Sequence, residues 1–401
     1  MLHRQSQIKT QKFSHHLMEK NPKSPYHGQP PPSQIVASIA DLLAQILLLL
    51  PLKSLLRFKS VSKQWHALIS DPQFTLRRDP NPNLALALIF PNTPDGGDAA
   101  PATHVVVSFD RSSPPLRTLD LRAGCNSLRH IASSCNGLLL CKASEADTRC
   151  WVSNPATNQH ALLPEIDYED NSLCTLRMSL AYDPVRWSPR DYKVVCVNPR
   201  AGRAWIYSSR TGSWEKQGNP FGKETMDRVD FRKGVYWNGA VHWIGFGKLG
   251  KCAYLKIDGE KDSEKILEVM PNPPPIVKSN CSWSVCNYFG ESRGRLQFMN
   301  WTEHSSISSV CLDVHEMRRD YSEWYFRYRI EVPVDAGGRI WHNVCNIVAA
   351  GEDRVDVFLF LRGESEVTKY DVVRGSFQTV KIACQSKAHV MFPYIETVCS
   401  V

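Results

Sequence analysis

The spacing of apolar residues changes once along the chain. Leu43, Ile46, Leu47 and Leu50 recur at i, i+3, i+4 and i+7, the period of one helical face. Pro51 has no amide hydrogen and cannot sit in a helix interior, so it ends that helix. Leu55, Phe58 and Val61 continue on a second short helix. Ser62, a good N-cap, opens a third that carries Trp65, Leu68 and Ile69. Trp65 shares a face with Leu68 and Ile69, which predicts that it lies inside the helical unit. Asp71-Pro72 makes a further stop and start. A unit of this size cannot bury all its own apolar surface, and the remainder points to a partner protein.

Beyond Arg78 the period shortens. Asn81 to Asn83 reads as a linker, and short β-type runs follow at Leu84 to Phe90, His104 to Phe109 and Leu116 to Leu121. The Pro-, Gly- and Ala-rich stretch Asn92 to Ala102 reads as a mobile loop. Runs such as Tyr192 to Cys196, Trp205 to Ser208, Gly234 to Trp243 and Val355 to Phe360 then alternate with turns. They repeat about every 40 to 50 residues, the period of four-stranded propeller blades. Counting the units gives six, with Phe392 to Val398 as a last strand that closes one blade with the first strands. The expected fold class is α+β multidomain, a small all-α module followed by an all-β propeller-like domain. The expected boundaries are a disordered basic tail over 1–34, the helical module over 35–80 and the β domain over 84–401.

Composition narrows the function classes. The net charge of +8 is spread along the chain, and no basic stripe interleaved with aromatics marks a nucleic-acid partner. The 13 cysteines include no C-x-x-C pair. With no secretory signal in view, reduced thiols in the cytoplasm or nucleus are the natural reading. The sequons at Asn280 and Asn300 are then expected to stay unmodified. The longest apolar run, Leu42 to Leu52, is shorter than the roughly 20 residues a membrane span requires.

The helical segment resembles the F-box. The matching positions are Asp41-Leu42-Leu43, Ile46-Leu47, Leu50-Pro51, Lys53 to Phe58, Val61-Ser62-Lys63, Trp65, Leu68-Ile69, Pro72 and Phe74. The chain departs from that pattern with Ser38-Ile39 in place of Leu-Pro, and with Gln45 and Leu49 where Glu and Arg are common. These departures bear on adaptor affinity. The resemblance implies docking on a Skp-type adaptor, and through it a cullin. It carries adaptor contact to Leu43, Leu47, Leu50, Pro51, Leu55, Val61, Lys63 and Trp65. Asn154-Pro155-Ala156-Thr157, Ala181 to Pro184 with Asp191 to Val195, Ser209 to Trp214 and Gly239 to Trp243 are similar to the F-box-associated domain of plants, which is related to kelch propellers. The two resemblances together imply a substrate receptor of an SCF-type ubiquitin ligase, with no bond-making of its own. Rival readings are a propeller enzyme, a carbohydrate-binding lectin or a ligase-independent interaction protein.

Other chemistry is weakly supported by the sequence. Gly245 to Gly250 fits G-x-G-x-x-G, but the following Cys252 to Ile257 reads as a strand. A dinucleotide site needs a helix there, so a hairpin loop is expected. Cys281 and Cys286 with His304 and His315 lack the paired spacing of structural zinc, so neither metal nor cofactor is expected. His242 reads either as a base or as a histidine bonded between blades. Trp151, Trp205, Trp214, Trp237, Trp243 and Trp341 read as packing between blades. In Arg186-Trp187-Ser188-Pro189-Arg190 a tryptophan flanked by arginines has the composition of a contact site. Arg186, Trp187 and Arg190 are therefore the candidate target-binding residues, with Trp187 folded back onto the domain as the other reading.

Overall fold

The computed structural model describes residues 40–50, 52–71, 73–74, 77, 87–92, 103–108, 116–123, 126–128, 130–143, 149–167, 176–188, 190–217, 227–245, 250–258, 267–274, 288–292, 294–301, 309–333, 343–350, 356–362, 366–371, 374–381, 392–397 and 401. The tail over 1–34, Pro51, Cys281, Cys286, His304 and Trp341 lie outside them. The chain forms two compact units, Met1–Ile46 and Leu47–Val401, with the boundary inside the first helix.

Three short helices come first: α1 (Ala40–Leu48), α2 (Leu52–Phe58) and α3 (Lys63–Ile69). In α1 the buried residues are Leu43, Ala44 and Leu47, whereas Ile46 is 47% exposed. The expected face Leu43-Ile46-Leu47-Leu50 is therefore rotated. Ile46 lies about 100° around the helix from the middle of the buried stripe, on the side of the exposed Leu42. The Oγ of Ser62 accepts the Trp65 amide at 3.1 Å, which makes Ser62 the N-cap of α3. Leu55, Ile69 and Phe74 are buried. Trp65 differs from expectation: it is half-exposed and packs edge-to-face on Phe58 at 5.2 Å.

The rest is a β-propeller. Among the described residues it contains six four-stranded antiparallel sheets. Sheets two to six run in chain order over 130–162, 177–217, 230–270, 288–333 and 343–381. Sheet one is built from both ends of the domain. Phe392–Tyr394 pairs antiparallel with Ala87–Asn92, which is followed by Thr103–Ser108 and Leu116–Leu119. The expected closure of the first blade by the last strand is therefore present. A two-stranded ribbon, Arg122–Ala123 with Asn126–Ser127, lies between sheets one and two.

In sheet three burial falls outward from the inner strands to the last. Lys193–Asn198 is buried at every position after the first, because sheets cover both its faces. The outermost strands Ser213–Gln217 and Ser376–Lys381 are mostly exposed. Trp151, Trp205, Trp237 and Trp243 lie in this packing as expected, each at most 4% exposed.

Recurrent polar contacts tie neighbouring sheets. Trp214 Nε1 donates to the Pro164 carbonyl at 2.7 Å, and Trp324 Nε1 donates to the Pro271 carbonyl at 2.8 Å. In both, an outer-strand tryptophan reaches a proline within two residues of the end of the preceding sheet. Asn154 and Asn198, each before a proline, cap turns through their side-chain oxygens.

Candidate functional site

Two surfaces come forward. The first is apolar and lies on α1, where Leu42 and Ile46 stand one turn apart, 41% and 47% exposed. Of the expected adaptor residues, Leu43, Leu47 and Leu55 are buried, and Leu50 and Trp65 are half-buried. Val61 and Lys63 are exposed. The sequence pattern thus mixed side chains that hold the helices with others that face outward.

The second surface is a cavity of about 190 Å³ at one end of the propeller. Turns of sheets two to five converge there. Asn136-Gly137 and Asn238-Gly239 are two-residue hairpin turns with positive φ throughout, which Asn and Gly adopt most readily. Gly239 has a second role. A Cβ there would come within 3.1 Å of Arg186 Nη1, so its absence lets the arginine lie across the turn. Asn136 donates to the Tyr182 carbonyl at 2.8 Å and Asn238 to the Arg319 carbonyl at 3.2 Å, which pins each turn to the next sheet.

Asp183 organises the wall. Its Oδ1 accepts the amides of Val185 and Arg186 at 3.0 Å, and its Oδ2 accepts the Tyr236 hydroxyl at 3.0 Å. Burial and the negative charges of Asp183 and Asp258 push the Tyr236 hydroxyl far up, so it remains a proton donor. Burial also pushes the neighbouring Cys135 thiol up to about 12, which leaves it un-ionised and a poor nucleophile.

The Arg186–Arg190 loop divides by role. Arg186 is half-exposed and lines the cavity. Trp187 is turned inward, 5.4 Å from Tyr236 and with Lys193 Nζ 5.0 Å from its ring centre. It packs against the core between sheets three and four, so the folded-back reading holds for its side chain. Arg190 is exposed and does not line the cavity. Arg319, Tyr236, Asn136 and Asn238 were missed from the sequence, although the two Asn-Gly turns could have marked this end.

His242 is bonded between sheets. Its Nε2 lies 2.9 Å from the Tyr321 hydroxyl and its Nδ1 3.2 Å from the Val235 carbonyl. Burial pushes its pKa down to about 3. Residues 246–249 of the glycine-rich motif lie outside the described residues, and the strand Cys252–Lys256 follows where a dinucleotide fold needs a helix. His315 packs edge-on to Phe326 at 5.8 Å. Among the described residues, no group of three or more His, Cys, Asp or Glu could hold a metal, and no helix is long and apolar enough to cross a membrane.

Comparison with known proteins matches residues 40–77 to the F-box domain and 108–267 to the F-box associated beta propeller domain. An F-box protein of Arabidopsis thaliana is 33% identical over 330 residues, covering 74% of this chain and 71% of that protein. An F-box/kelch-repeat protein of the same plant is 26% identical over 270 residues, covering 65% and 71%. Another of its F-box proteins is 28% identical over 369 residues, covering 84% and 82%.

Proposed function

The chain belongs to the F-box proteins that carry an F-box-associated β-propeller, and from that premise we propose that it is the substrate-receptor subunit of an SCF-type cullin ubiquitin ligase. In this reading the F-box module, residues 35–80, docks on a Skp-type adaptor. The propeller, residues 84–401, has one blade per four-stranded sheet and recruits a target protein with its loops. The protein makes no bonds itself. Its contribution is to hold the target at high effective concentration near the ubiquitin-charged enzyme. It works in the cytoplasm, the nucleus or both.

One observation carries the reading: an F-box match whose helix leaves Leu42 and Ile46 outward precedes a propeller in the same chain. Val61 and Lys63 are proposed contacts, joined by the half-buried Leu50 and Trp65. Leu43, Leu47 and Leu55 act by holding the helices in shape. Pro51 remains a proposed adaptor residue from the resemblance alone. On the propeller, Arg186 is proposed to meet the target and Trp187 to support its loop, with Arg190 at the loop's far end.

The test is purification of the tagged full chain from plant cells under mild conditions. Recovery of a Skp-type adaptor and a cullin supports the reading. Their absence from a folded, soluble preparation overturns it.

A further inference from the structure

We propose that the cavity beside Arg186 and Arg319 receives one carboxylate side chain, Asp or Glu, of the recruited polypeptide. This rests on the receptor reading above and adds the chemistry of the target.

Arg319 is exposed, lines the cavity, and its guanidinium has no ion pair among the described residues. Arg186 is ion-paired with Asp183 at 3.7 Å and Asp258 at 3.8 Å, both longer than a hydrogen bond, so its N–H groups remain available to an acceptor. Each guanidinium offers five N–H groups in a planar fork suited to a carboxylate.

The other polar groups of the wall are engaged. Asp183 accepts two amides and the Tyr236 hydroxyl, and Glu291 accepts the Gly294 amide. The amide nitrogens of Asn136 and Asn238 donate to carbonyls of adjoining sheets. Nearby, Lys193 Nζ is held by the Ile257 carbonyl at 2.7 Å and Asp258 at 3.2 Å. Among the described lining residues, the charged donors with no hydrogen bond are therefore the two arginine side chains.

Size and charge select the occupant. About 190 Å³ is below the roughly 300–1,000 Å³ of a small-molecule cleft, and it suits one side chain. The wall also holds two carboxylates, Asp183 and Glu291. Two arginines against these two carboxylates leave the lining with no net charge, so a dianionic phosphate would leave twice the uncompensated charge of a monoanion. Val185, 58% exposed at the rim, offers apolar contact to the peptide on either side of the anchor.

The test uses the purified full chain on an array of random dodecapeptides, with Asp, Glu, Asn, Gln, Lys and phosphoserine at each position. Wild-type protein is expected to favour Asp or Glu about tenfold over Asn or Gln at one anchor position. Arg319→Glu is expected to abolish that preference and move it toward Lys. Arg186→Glu, with its melting temperature checked, is expected to do the same. No selection, an acid preference that survives both reversals, or a preference for phosphoserine overturns the inference. Capture of a Skp-type adaptor by the same preparation is scored separately. Its loss counts against the receptor reading, while the array result alone decides the pocket.

Discussion

The Nε2 of His242 lies 2.9 Å from the hydroxyl of Tyr321, so a strand of the fourth sheet is tied to a turn of the fifth. Tyr321 holds a positive φ of 60°, a conformation costly for an aromatic residue, and it stacks on Tyr254 at 4.1 Å. Contacts with sheet four thus help to hold the turn, beside bonds of its own such as Tyr321 N to the Arg318 carbonyl and Ser322 N to Asp320 Oδ1.

The burial of this histidine makes stability depend on pH. Burial pushes His242 down to about 3 from an ordinary value of 6.5. Between these values the unfolded chain binds more protons, so stability rises with pH across that window. The contribution is whole above about pH 6.5 and is lost as pH falls toward 3; it is worth a few kcal/mol at most, at about 1.4 kcal/mol per pH unit. The urea midpoint of the wild type should fall from pH 7 to pH 4, and that of His242→Gln should fall less. His160 and His315 are pushed down by burial too, so the slope should shrink and not vanish. An unchanged slope in the variant would contradict this account.

Closure by the C-terminus predicts a second outcome. Phe392–Tyr394 pairs with Ala87–Asn92, Asn154 donates to the Thr397 carbonyl at 3.1 Å, and Arg117 pairs with Glu396 at 2.9 Å. Removing residues 390–401 strips the pairing partner from one side of Ala87–Asn92 and should produce aggregates by light scattering. Gly137→Ala should act more gently. Its φ is +90°, and a Cβ would stand 2.5 Å from the Ile395 carbonyl oxygen. Chemical denaturation should show a loss of about 1–3 kcal/mol. A truncated protein that stays monomeric and melts cooperatively would show that the last strand is dispensable.

Much of this architecture was legible from local pattern. Ser62 announced its helix because an N-cap needs only a hydroxyl next to a free amide. The blade period and the closing strand at Phe392 were visible because each strand and turn is a short-range signal. The rotated face of α1 was not. Ala44, a small residue that periodicity counts lightly, takes the buried place expected of Ile46. The cavity was equally hidden, since Asn136, Tyr236 and Arg319 come from three sheets and meet only through the fold.

The arginine-flanked loop yields a third prediction, because its residues have separate roles. Trp187→Ala removes a half-buried ring from Tyr236 and Lys193 and should cost about 1–3 kcal/mol, less than a fully buried tryptophan. Arg190→Ala touches an exposed side chain and should stay within about 0.5 kcal/mol. Thermal melts of the two variants decide this. Equal stability would mean that Trp187 does not pack as described.

The most direct measurement is co-elution of the purified full chain with a Skp-type adaptor on size exclusion. It should be made for the wild type and for Leu42→Asp with Ile46→Asp, which places charge on the outward face of α1. The wild type is predicted to co-elute. The double variant is predicted to elute alone with an unchanged propeller melting transition. A folded wild type that fails to bind, or a double variant that binds as well as the wild type, would contradict the account.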